Sequence, residues 1–458
     1  MMAQRTWFCS LGSNRDTPRL WIEGPRRLNS IGFAPGTEFR VEPSSEHLTL
    51  RTTSPAEGTN RISSRRGQPI LDILSKGTLG HLSRFTEVVV RGSYGRLQIK
   101  PSIRAANILH HTAPRGEYRI LELFAGGGTL GHAITHVPGL SVAAAAEINS
   151  AYADIYCANH PSAEIIEGNI RTIAEPEYPD FDILTAGIPC TCHSTMGRTK
   201  NRLKGRPEIG EQGDLFIPVL SLIQRRMPRA VVIENVPSFG TSLAGELLKS
   251  NLQKLGYHLF EQVLEPLADW KEIQNRRRWV LVATLQPGFA FTPTRTGLGD
   301  TAGSYLDAPD PEQDAADCER IAGTIEGLRR HNARHQAKGN GFRFSTIDRS
   351  SPVIHTIPRS YAKINTGPFV ETPFGLRLMR QSELARIFGC TLDTPSFRLA
   401  AECYGQGLQT RIFSEILRQL YAFLGGNEIP AVAADSGLPH SRTMPTADAG
   451  GPVQTTLF

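Results

Sequence analysis

The sequence predicts an α/β fold in which helices cover both faces of a mainly parallel sheet, with a small β-domain in front of it. Apolar, β-rich runs alternate with helical stretches over residues 116–285. Strands that alternate with helices form mainly parallel sheets. Over residues 1–115, by contrast, short strand-like runs are separated by Gly and Pro, which is the pattern of hairpins.

The remaining residues complete a division into five regions. Residues 286–375 are polar, with many Gly, Pro and basic side chains, and residues 376–425 have the pattern of helices that return to the α/β domain. The tail, residues 426–458, is rich in Pro, Gly and Ala and lacks periodicity. We therefore expect the tail to be disordered.

The composition limits the class of protein. Apolar residues make up 40% and charged residues 21% of the chain, as in globular proteins. No run approaches the roughly 20 apolar residues that span a bilayer, and the first residues lack the apolar core of a signal peptide. Seven scattered cysteines fit reduced thiols. We therefore expect a cytoplasmic protein without a membrane partner, and the net charge of +6 permits a polyanionic partner without requiring one.

The β-domain contains an internal repeat at a shift of 49 residues. Segments 37–51 and 86–100 have the same residue at five equivalent positions, and each alternates apolar and polar residues around a central turn. This is the signal of a hairpin, so two copies predict two paired hairpins. The pattern resembles the swapped-hairpin DNA-binding folds of the AbrB and SymE type. Contact with DNA and a purely structural β-module are equally open.

Six apolar runs predict the strands of the α/β sheet. They are residues 119–124, 141–146, 181–186, 230–234, 257–264 and 279–284. In such sheets, ligands bind beyond the carboxyl ends of the strands. We therefore expect functional side chains directly after these runs.

The first of these runs leads into a glycine-rich turn. The sequence ILELFAGGGTLG places Gly126, Gly127 and Gly128 between a strand and a helix, where glycines let a ligand approach the backbone and the helix N-terminus favours negative charge. Glu147 ends the next strand, 21 residues after Gly126, and an acidic residue at that spacing typically accepts hydrogen bonds from ribose hydroxyls. The pair indicates an adenosine-containing cofactor without distinguishing NAD from S-adenosylmethionine. A tight strand-to-helix connection is the alternative.

Two reactive side chains follow later strands. Cys190 comes after a strand and a proline, and a thiolate in such a loop is a candidate nucleophile. A buried apolar cysteine, or a metal site with Cys192 and His193, is the alternative. Glu234 directly follows an apolar run, where a carboxylate is costly unless it is functional or paired in a salt bridge.

Five motifs in order identify a family. Arg276 and Arg278 alternate onto one face just before the last strand, a solvated basic edge being the alternative. Together, the glycine turn, the acidic strand end, the Pro-Cys, the Glu-Asn-Val and the Gln-x-Arg-x-Arg that begins at Gln274 resemble the DNA (cytosine-5)-methyltransferase family. The resemblance covers residues 119–285 and resumes over residues 351–424. It implies a Rossmann-like, S-adenosylmethionine-dependent methyltransferase sheet with a small target-recognition region at residues 286–375.

The resemblance assigns S-adenosylmethionine as the cofactor and implies the residues that hold it. These are Phe124, Gly126, Gly127, Gly128, Glu147, Ile148, Asn169, Ile170, Pro189 and Leu215. Asn169 stands where the family usually has Asp, and an Asn can still form a hydrogen bond with an adenine amino group.

The resemblance also implies the catalytic residues and their roles. Cys190 would add to carbon 6 of cytosine, which makes carbon 5 able to attack a methyl group, and Glu234 would act on ring nitrogen 3. Arg276 and Arg278 would hold the pyrimidine carbonyl and the glutamate side, and no metal is needed. The reacting carbons lie inside a duplex, so the base must be flipped out.

Two basic segments are expected to contact duplex DNA. Arginine and lysine side chains there suit phosphate contact, and an ordinary solvated loop is the alternative for the first segment. The residues are Ser194, Arg198, Lys200, Arg202 and Lys204 close behind the nucleophile, and Arg329, Arg330 and Arg334 in the target-recognition region.

Three functions are open from the sequence. The leading one is a bacterial or phage DNA (cytosine-5)-methyltransferase, for which a cognate restriction endonuclease is a candidate partner. The second is the same chemistry on RNA, since some relatives methylate transfer RNA. The third is a DNA-binding regulator with a degenerate methyltransferase body, because Ser382 stands where the ninth motif usually has Arg and the tenth motif, from Tyr404, lacks its usual Gly-Asn pair.

Overall fold

The computed structural model describes residues 5–54, 60–85, 87–102, 105–106, 115–190, 210, 212–337, 339, 344–365 and 367–425. The tail that the sequence predicts to be disordered, residues 426–458, lies outside these ranges. The chain divides into two compact units. The first comprises Met1–Ala113 with Gln224–Arg229, and the second comprises Pro114–Ile223 with Ala230–Phe458.

The strands and helices of the described residues are numbered in chain order. The strands are β1 Arg5–Ser10, β2 Gly12–Asn14, β3 Thr17–Glu23, β4 Glu38–Pro43, β5 Leu48–Thr52, β6 Asn60–Arg61, β7 Ser63–Arg65, β8 Gln68–Leu74, β9 Glu87–Ser93, β10 Arg96–Pro101, β11 Tyr118–Leu123, β12 Leu140–Glu147, β13 Glu164–Glu167, β14 Ile183–Gly187, β15 Ala230–Asn235, β16 His258–Leu264, β17 Gln274–Asn275, β18 Arg278–Thr284, β19 Thr346–Ile347, β20 Ile354–His355, β21 Phe369–Thr372 and β22 Gly375–Arg377. The helices are α1 Pro25–Leu28, α2 Lys76–Leu79, α3 Thr129–Thr135, α4 Ser150–Asn159, α5 Phe216–Arg226, α6 Pro237–Gly240, α7 Leu243–Lys254, α8 Pro266–Asp269, α9 Pro311–Ala337, α10 Gln381–Phe388, α11 Phe397–Gln406 and α12 Thr410–Gly425.

Two antiparallel sheets form the first unit. Six strands have the order β1-β9-β10-β5-β4-β6, and four have the order β2-β3-β8-β7. Side chains alternate between the faces, as they must in a strand: in β3, Leu20 and Ile22 are buried whereas Trp21 and Glu23 are exposed. The buried aliphatic and phenylalanine side chains of both sheets share one core.

The repeat folds into two paired hairpins, which confirms that prediction. β4 pairs with β5, β9 pairs with β10, and β5 lies against β10 with Leu50 opposite Leu97. The repeat also extends further towards the N-terminus than the sequence predicts, because β2, β3 and α1 recur as β7, β8 and α2 at a shift of 51 residues. A shift of 49 residues does not align this half, since the second copy is two residues shorter between its helix and its hairpin.

The two copies exchange their first strands. β1 of the first copy pairs with β9 of the second, and β6 of the second copy pairs with β4 of the first. If each strand is replaced by its equivalent in the other copy, each sheet has the same strand order read in the opposite direction. The first unit therefore has an approximate internal two-fold axis, which passes between β5 and β10 in one sheet and between β3 and β8 in the other.

A seven-stranded sheet forms the centre of the second unit, in the order β13-β12-β11-β14-β15-β18-β16. The first five strands are parallel, and β18 is antiparallel to both of its neighbours. The six predicted strands are confirmed, each within two residues of its predicted bounds. The sequence does not predict β13, because this short edge strand has only two apolar residues, in EIIE.

Helices complete two cores in the second unit. Ile416 and Leu420 of α12 share one core with Ile134 of α3 and with Ile120 and Val232 of the sheet. The other core joins α4, α9, α10 and α11. Within the polar region, the sequence does not predict the 27-residue helix α9, whose few apolar side chains lie on one face. No helix in the described part of the chain combines the length and the apolar character needed to cross a bilayer.

Candidate active site

The glycine turn connects β11 to α3 in an unusually tight space. Gly126 and Gly128 have φ values of 55° and 90°, which glycine adopts without steric cost. A Cβ atom at Gly127 would lie 2.4 Å from Cys403 Sγ, and one at Gly128 would lie 2.6 Å from His160 Nε2. A larger residue at either position would have to displace Cys403 or His160, so glycine lets these two side chains pack directly against the turn.

Glu147 holds the turn in place from the end of β12. Its Oε2 accepts a hydrogen bond of 2.8 Å from the Gly126 N–H, and its Oε1 accepts one of 2.8 Å from the Asn149 N–H. An ionised carboxylate has about four acceptor positions, so the two oxygens keep capacity for further donors. The side chain that the sequence singles out for ribose hydroxyls therefore first fixes the backbone of the turn.

The predicted adenine contacts follow the neighbouring strand ends. Ile148 is 64% exposed, which is unusual for a large apolar side chain at the end of a core strand and leaves a surface for a flat ring. Asn169 follows β13, and its Oδ1 accepts a hydrogen bond from the Arg171 N–H. Arg171 in turn forms an ion pair with Asp214. That pair brings the segment of the buried Leu215 next to the segment of Asn169.

Two residues of α11 that the sequence analysis misses lie at the glycine turn. The Cys403 thiol occupies the space beside Gly127, and Gln406 Nε2 lies 3.3 Å from the position of a Cβ at Gly126. Gln406 belongs to the tenth motif, which departs from the family pattern, and Cys403 directly precedes this motif. The available signal for Gln406 is the YGQG sequence itself, because its position in the motif points to the turn even though the usual Gly-Asn pair is missing.

Cys190 and Glu234 lie at the same edge of the sheet, at the carboxyl ends of two neighbouring strands. Cys190 lies three residues beyond β14, and Glu234 is the penultimate residue of β15, where Gly187 is its pairing partner. Asn235 Nδ2 donates a 3.0 Å hydrogen bond to the Ile188 carbonyl, which fastens the two strand ends together. The two side chains are close enough for the charge of Glu234 to act on the Cys190 thiol.

Arg278 links the carboxylate to the thiol electrostatically. Its Nε lies 2.7 Å from Glu234 Oε1, and both side chains are 15% exposed. Burial raises the pKa of Glu234, and Arg278 and Arg276 oppose this rise. Burial also raises the pKa of Cys190, Arg278 lowers it and Glu234 raises it further. The free site therefore favours a protonated thiol, and Arg278 favours the thiolate.

Arg276 has a different set of partners. Its guanidinium donates to the carbonyls of Gly405, Gly407 and Ile357 at 2.6–3.3 Å, and the residue is 2% exposed. Burial lowers the pKa of Arg276 to about 9, which leaves it charged at neutral pH. Arg276 thus connects the end of β17 to the loop after α11, and its predicted contact with the base stays a prediction. The Gln274 amide is buried and has no hydrogen-bond partner among the residues that the structure describes.

The ninth motif, which begins at Arg377, forms a buried charge network. Arg377 donates hydrogen bonds of 2.8 Å to each oxygen of Glu383 and one of 2.9 Å to Asp314. Glu383 is fully buried, and its Oε2 also accepts the Arg380 N–H. Ser382 donates to Asp307. The network fastens α9 and α10 to β22, so Glu383 has a structural role.

The predicted DNA contacts fall in two places. Arg329, Arg330 and Arg334 are exposed on α9. The residues that follow the nucleophile, Ser194, Arg198, Lys200, Arg202 and Lys204, lie outside the described residues, as do Cys192 and His193 of the alternative metal site. Among the described residues, no three His, Cys, Asp or Glu side chains are arranged to hold a metal ion.

A mainly parallel sheet with a glycine-rich turn, an acidic strand end, and a cysteine and a glutamate at neighbouring strand ends is the arrangement of a Rossmann-like methyltransferase. Residues 118–400, more than half of the chain, match the family model described as C-5 cytosine-specific DNA methylase. The chain therefore belongs to the C-5 cytosine-specific DNA methylase family, and it is a DNA (cytosine-5)-methyltransferase. The expected family and fold are confirmed.

Individual relatives agree with the family. The Type II methyltransferase M.NlaX of Neisseria lactamica is 29% identical over 279 residues, which are 59% of this chain and 85% of the relative. The Type II methyltransferase M.HpaII of Haemophilus parainfluenzae is 30% identical over 51% of this chain and 64% of the relative. The tRNA (cytosine(38)-C(5))-methyltransferase of Homo sapiens is 28% identical over 37% of this chain and 42% of the relative.

Solved structures agree on the fold. The Dnmt2 methyltransferase of S. pombe has a TM-score of 0.52 and 20% identity over 67% of this chain and 99% of that one. The methyltransferase EhMeth of Entamoeba histolytica has a TM-score of 0.54 and 17% identity over 68% of this chain and 99% of that one. At this level of identity the likeness concerns the fold alone.

Proposed function

We propose that the protein transfers a methyl group from S-adenosylmethionine to carbon 5 of a cytosine flipped out of duplex DNA, through a covalent bond to Cys190. The observation that carries this proposal is the placement of Cys190 and Glu234 at one edge of the sheet, at the carboxyl ends of the neighbouring strands β14 and β15. The glycine turn leaves the same edge from β11, the other neighbour of β14. The proposed nucleophile, proton donor and cofactor turn thus lie at the carboxyl ends of three adjacent strands.

The residues at the turn fit the cofactor. The spare acceptor positions of Glu147 suit ribose hydroxyls, the exposed Ile148 suits a flat purine, and the cofactor would lie along the turn of Gly126, Gly127 and Gly128. Asn169 would bind the adenine amino group, with Phe124, Ile170, Pro189 and Leu215 around it. When bound, S-adenosylmethionine supplies an electrophilic methyl group.

Cys190 and Glu234 would act on the base from two sides. The Cys190 sulfur gives up its proton and bonds to carbon 6, while Glu234 places a proton on ring nitrogen 3, so that the electron pair moves to carbon 5 and no charge accumulates on the ring. After methylation, a base takes the carbon 5 proton, the sulfur leaves carbon 6 as a thiolate, and ring nitrogen 3 returns its proton to Glu234. A carboxyl with a raised pKa is suited to donate a proton near neutral pH, and Arg278 both orients it and favours the thiolate.

DNA would be held on the basic segments. The cytosine must leave the stack before Cys190 can reach carbon 6. The target-recognition region would contact the DNA through the α9 side chains Arg329, Arg330 and Arg334. The basic residues between 194 and 204 would contact the phosphates around the extruded base. A cognate restriction endonuclease and a location in the cytoplasm stay predictions.

The test is methyl transfer by the Cys190→Ser variant. Wild-type protein with radiolabelled S-adenosylmethionine should label duplex DNA, and bisulfite sequencing should place the mark on cytosine. The serine variant should bind DNA but incorporate no label, because an alcohol is too weakly acidic to attack carbon 6. Full methylation by the variant would eliminate Cys190 as the nucleophile.

RNA is the second candidate substrate, because one relative is a tRNA methyltransferase. Duplex DNA and structured RNA should compete in the same labelling assay, and we expect DNA to take the label. If only the RNA were labelled, RNA would be the substrate and the proposed methylation of DNA would be wrong. A DNA-binding regulator with a degenerate methyltransferase body would not bind S-adenosylmethionine and would label neither nucleic acid.

A further inference from the structure

The first unit carries the excess positive charge of the whole chain. Residues 1–113 contain sixteen Lys and Arg against eight Asp and Glu, a net charge of +8. The whole chain has a net charge of +6, so the remaining residues together are slightly acidic. Such an excess on one domain attracts a polyanion. The positions of the arginines indicate which polyanion the unit fits.

Two hairpins at opposite ends of the four-stranded sheet have arginine at their tips. Arg15 and Asp16 join β2 to β3, and Arg66 and Gly67 join β7 to β8. All four residues have positive φ, 49° at Arg15 and 54° at Arg66. This is the type I′ turn, which favours Asn and Gly, and arginine is uncommon in that conformation. Both copies nevertheless have arginine at the first tip position.

The two tip arginines face solvent. Arg15 and Arg66 are exposed, and neither forms an ion pair with another residue that the structure describes. The adjacent Ser13, Ser64 and Arg65 are exposed as well. Each hairpin therefore ends in a narrow ribbon with a guanidinium at its tip and small hydroxyl side chains beside it.

The spacing of the tips matches duplex DNA. β3 pairs with β8 so that Trp21 lies opposite Asp72, which separates the tips by roughly 35 Å along the strands at a rise of about 3.3 Å per residue. One turn of B-DNA is about 34–36 Å. A two-stranded ribbon fits its major groove, whereas the major groove of A-form RNA is too deep and narrow for side chains to read.

We propose that the first unit is a second DNA-binding site, which binds a two-fold symmetric duplex sequence with one hairpin in each of two half-sites about one helical turn apart. The internal two-fold axis lets a single chain read both half-sites, as dimeric DNA-binding proteins do with two chains. Arg15 and Arg66 contact base edges or phosphates, and Ser13 and Ser64 contact phosphates beside them. The site is independent of Cys190 and of the base that is methylated.

The experiment is sequence selection from a random duplex library. Full-length protein without S-adenosylmethionine is incubated with the library at roughly 0.15 M salt, and the bound fraction is sequenced. We expect a palindromic motif with half-sites about 10 base pairs apart, centre to centre. The double variant Arg15→Asn/Arg66→Asn should lose that motif and bind it at least about tenfold more weakly. Because Asn suits a type I′ turn, this variant keeps the hairpin.

Two further variants make the outcome decisive. Arg15→Asn alone should select one half-site of the same motif. The control Arg40→Gln/Arg91→Gln removes the same charge from two exposed residues of the six-stranded sheet and should select the full palindrome. A motif that survives in Arg15→Asn/Arg66→Asn, equal losses in the control, or enrichment of a short asymmetric sequence only would overturn the proposal and leave the first unit as a structural or protein-binding module.

Discussion

Replacing Glu234 by Gln tests the chemistry with the least disturbance to the fold. Gln has the shape of Glu and can still accept the Arg278 Nε–H, which lies 2.7 Å from Oε1. A neutral acceptor gives about half the strength of a charged one, so the loss of stability should be about 1 kcal/mol. Stabilities of 5–15 kcal/mol are usual, and the variant should therefore remain folded.

The loss of activity should be much larger than the loss of stability. Gln cannot donate a proton from a carboxyl group to ring nitrogen 3, and positioned proton transfer is worth about 10²- to 10⁴-fold in rate. At 1.36 kcal/mol per tenfold, this corresponds to about 2.7–5.4 kcal/mol of activation free energy. Glu234 has few routes to solvent at 15% exposure, so water is a poor substitute.

Single-turnover methylation of a short duplex measures this effect directly. Glu261→Gln is the matched control, because Glu261 lies in β16 of the same sheet and accepts the Trp279 Nε1–H, 2.8 Å away, rather than facing the cysteine. We expect the control to keep its rate. A Glu234→Gln rate within threefold of wild type, in a variant that unfolds cooperatively, would refute the assignment of Glu234 as the proton donor.

Two further predictions follow from the charges around this site. Since burial raises the pKa of Cys190, its alkylation by iodoacetamide in the free enzyme should keep rising with pH beyond 8.5, the value of a free cysteine. Glu234→Gln should move this profile to lower pH, and a plateau reached below pH 8 would contradict the prediction. Arg276→Met should lower the free energy of unfolding by about 3 kcal/mol or more, because the buried carbonyls of Gly405, Gly407 and Ile357 lose a charged donor. Urea denaturation measures this, and a change below about 1 kcal/mol would show that other donors replace the guanidinium.

The sequence predicts most of the sheet because buried parallel strands are continuous apolar runs. The same logic finds Glu147, Cys190 and Glu234, since polar side chains directly after such runs stand out. The sequence does not predict β13, because an edge strand covers little apolar surface. It does not predict the long helix α9 for a similar reason, since the buried side chains of this helix are few among many charged ones.

Contacts that bring distant segments together could not be read from the sequence. Cys403 and Gln406 reach the glycine turn only because α11 folds back from the far end of the chain. The partners of Arg276 are backbone carbonyls, which no side-chain pattern reveals. Likewise, the first half of the repeat becomes visible only when the pairing of β3 with β8 relates the two copies.

The exchange of first strands in the β-unit has a consequence for its assembly. Each copy completes the other's sheet, through β1 on β9 and β6 on β4, so a chain with a single copy would have to meet a second molecule to bury the same surface. Joining the copies in one polypeptide turns that encounter into a ring closure at high effective concentration. The fold of the first unit should therefore not depend on protein concentration, whereas an equivalent built from two chains would dissociate on dilution.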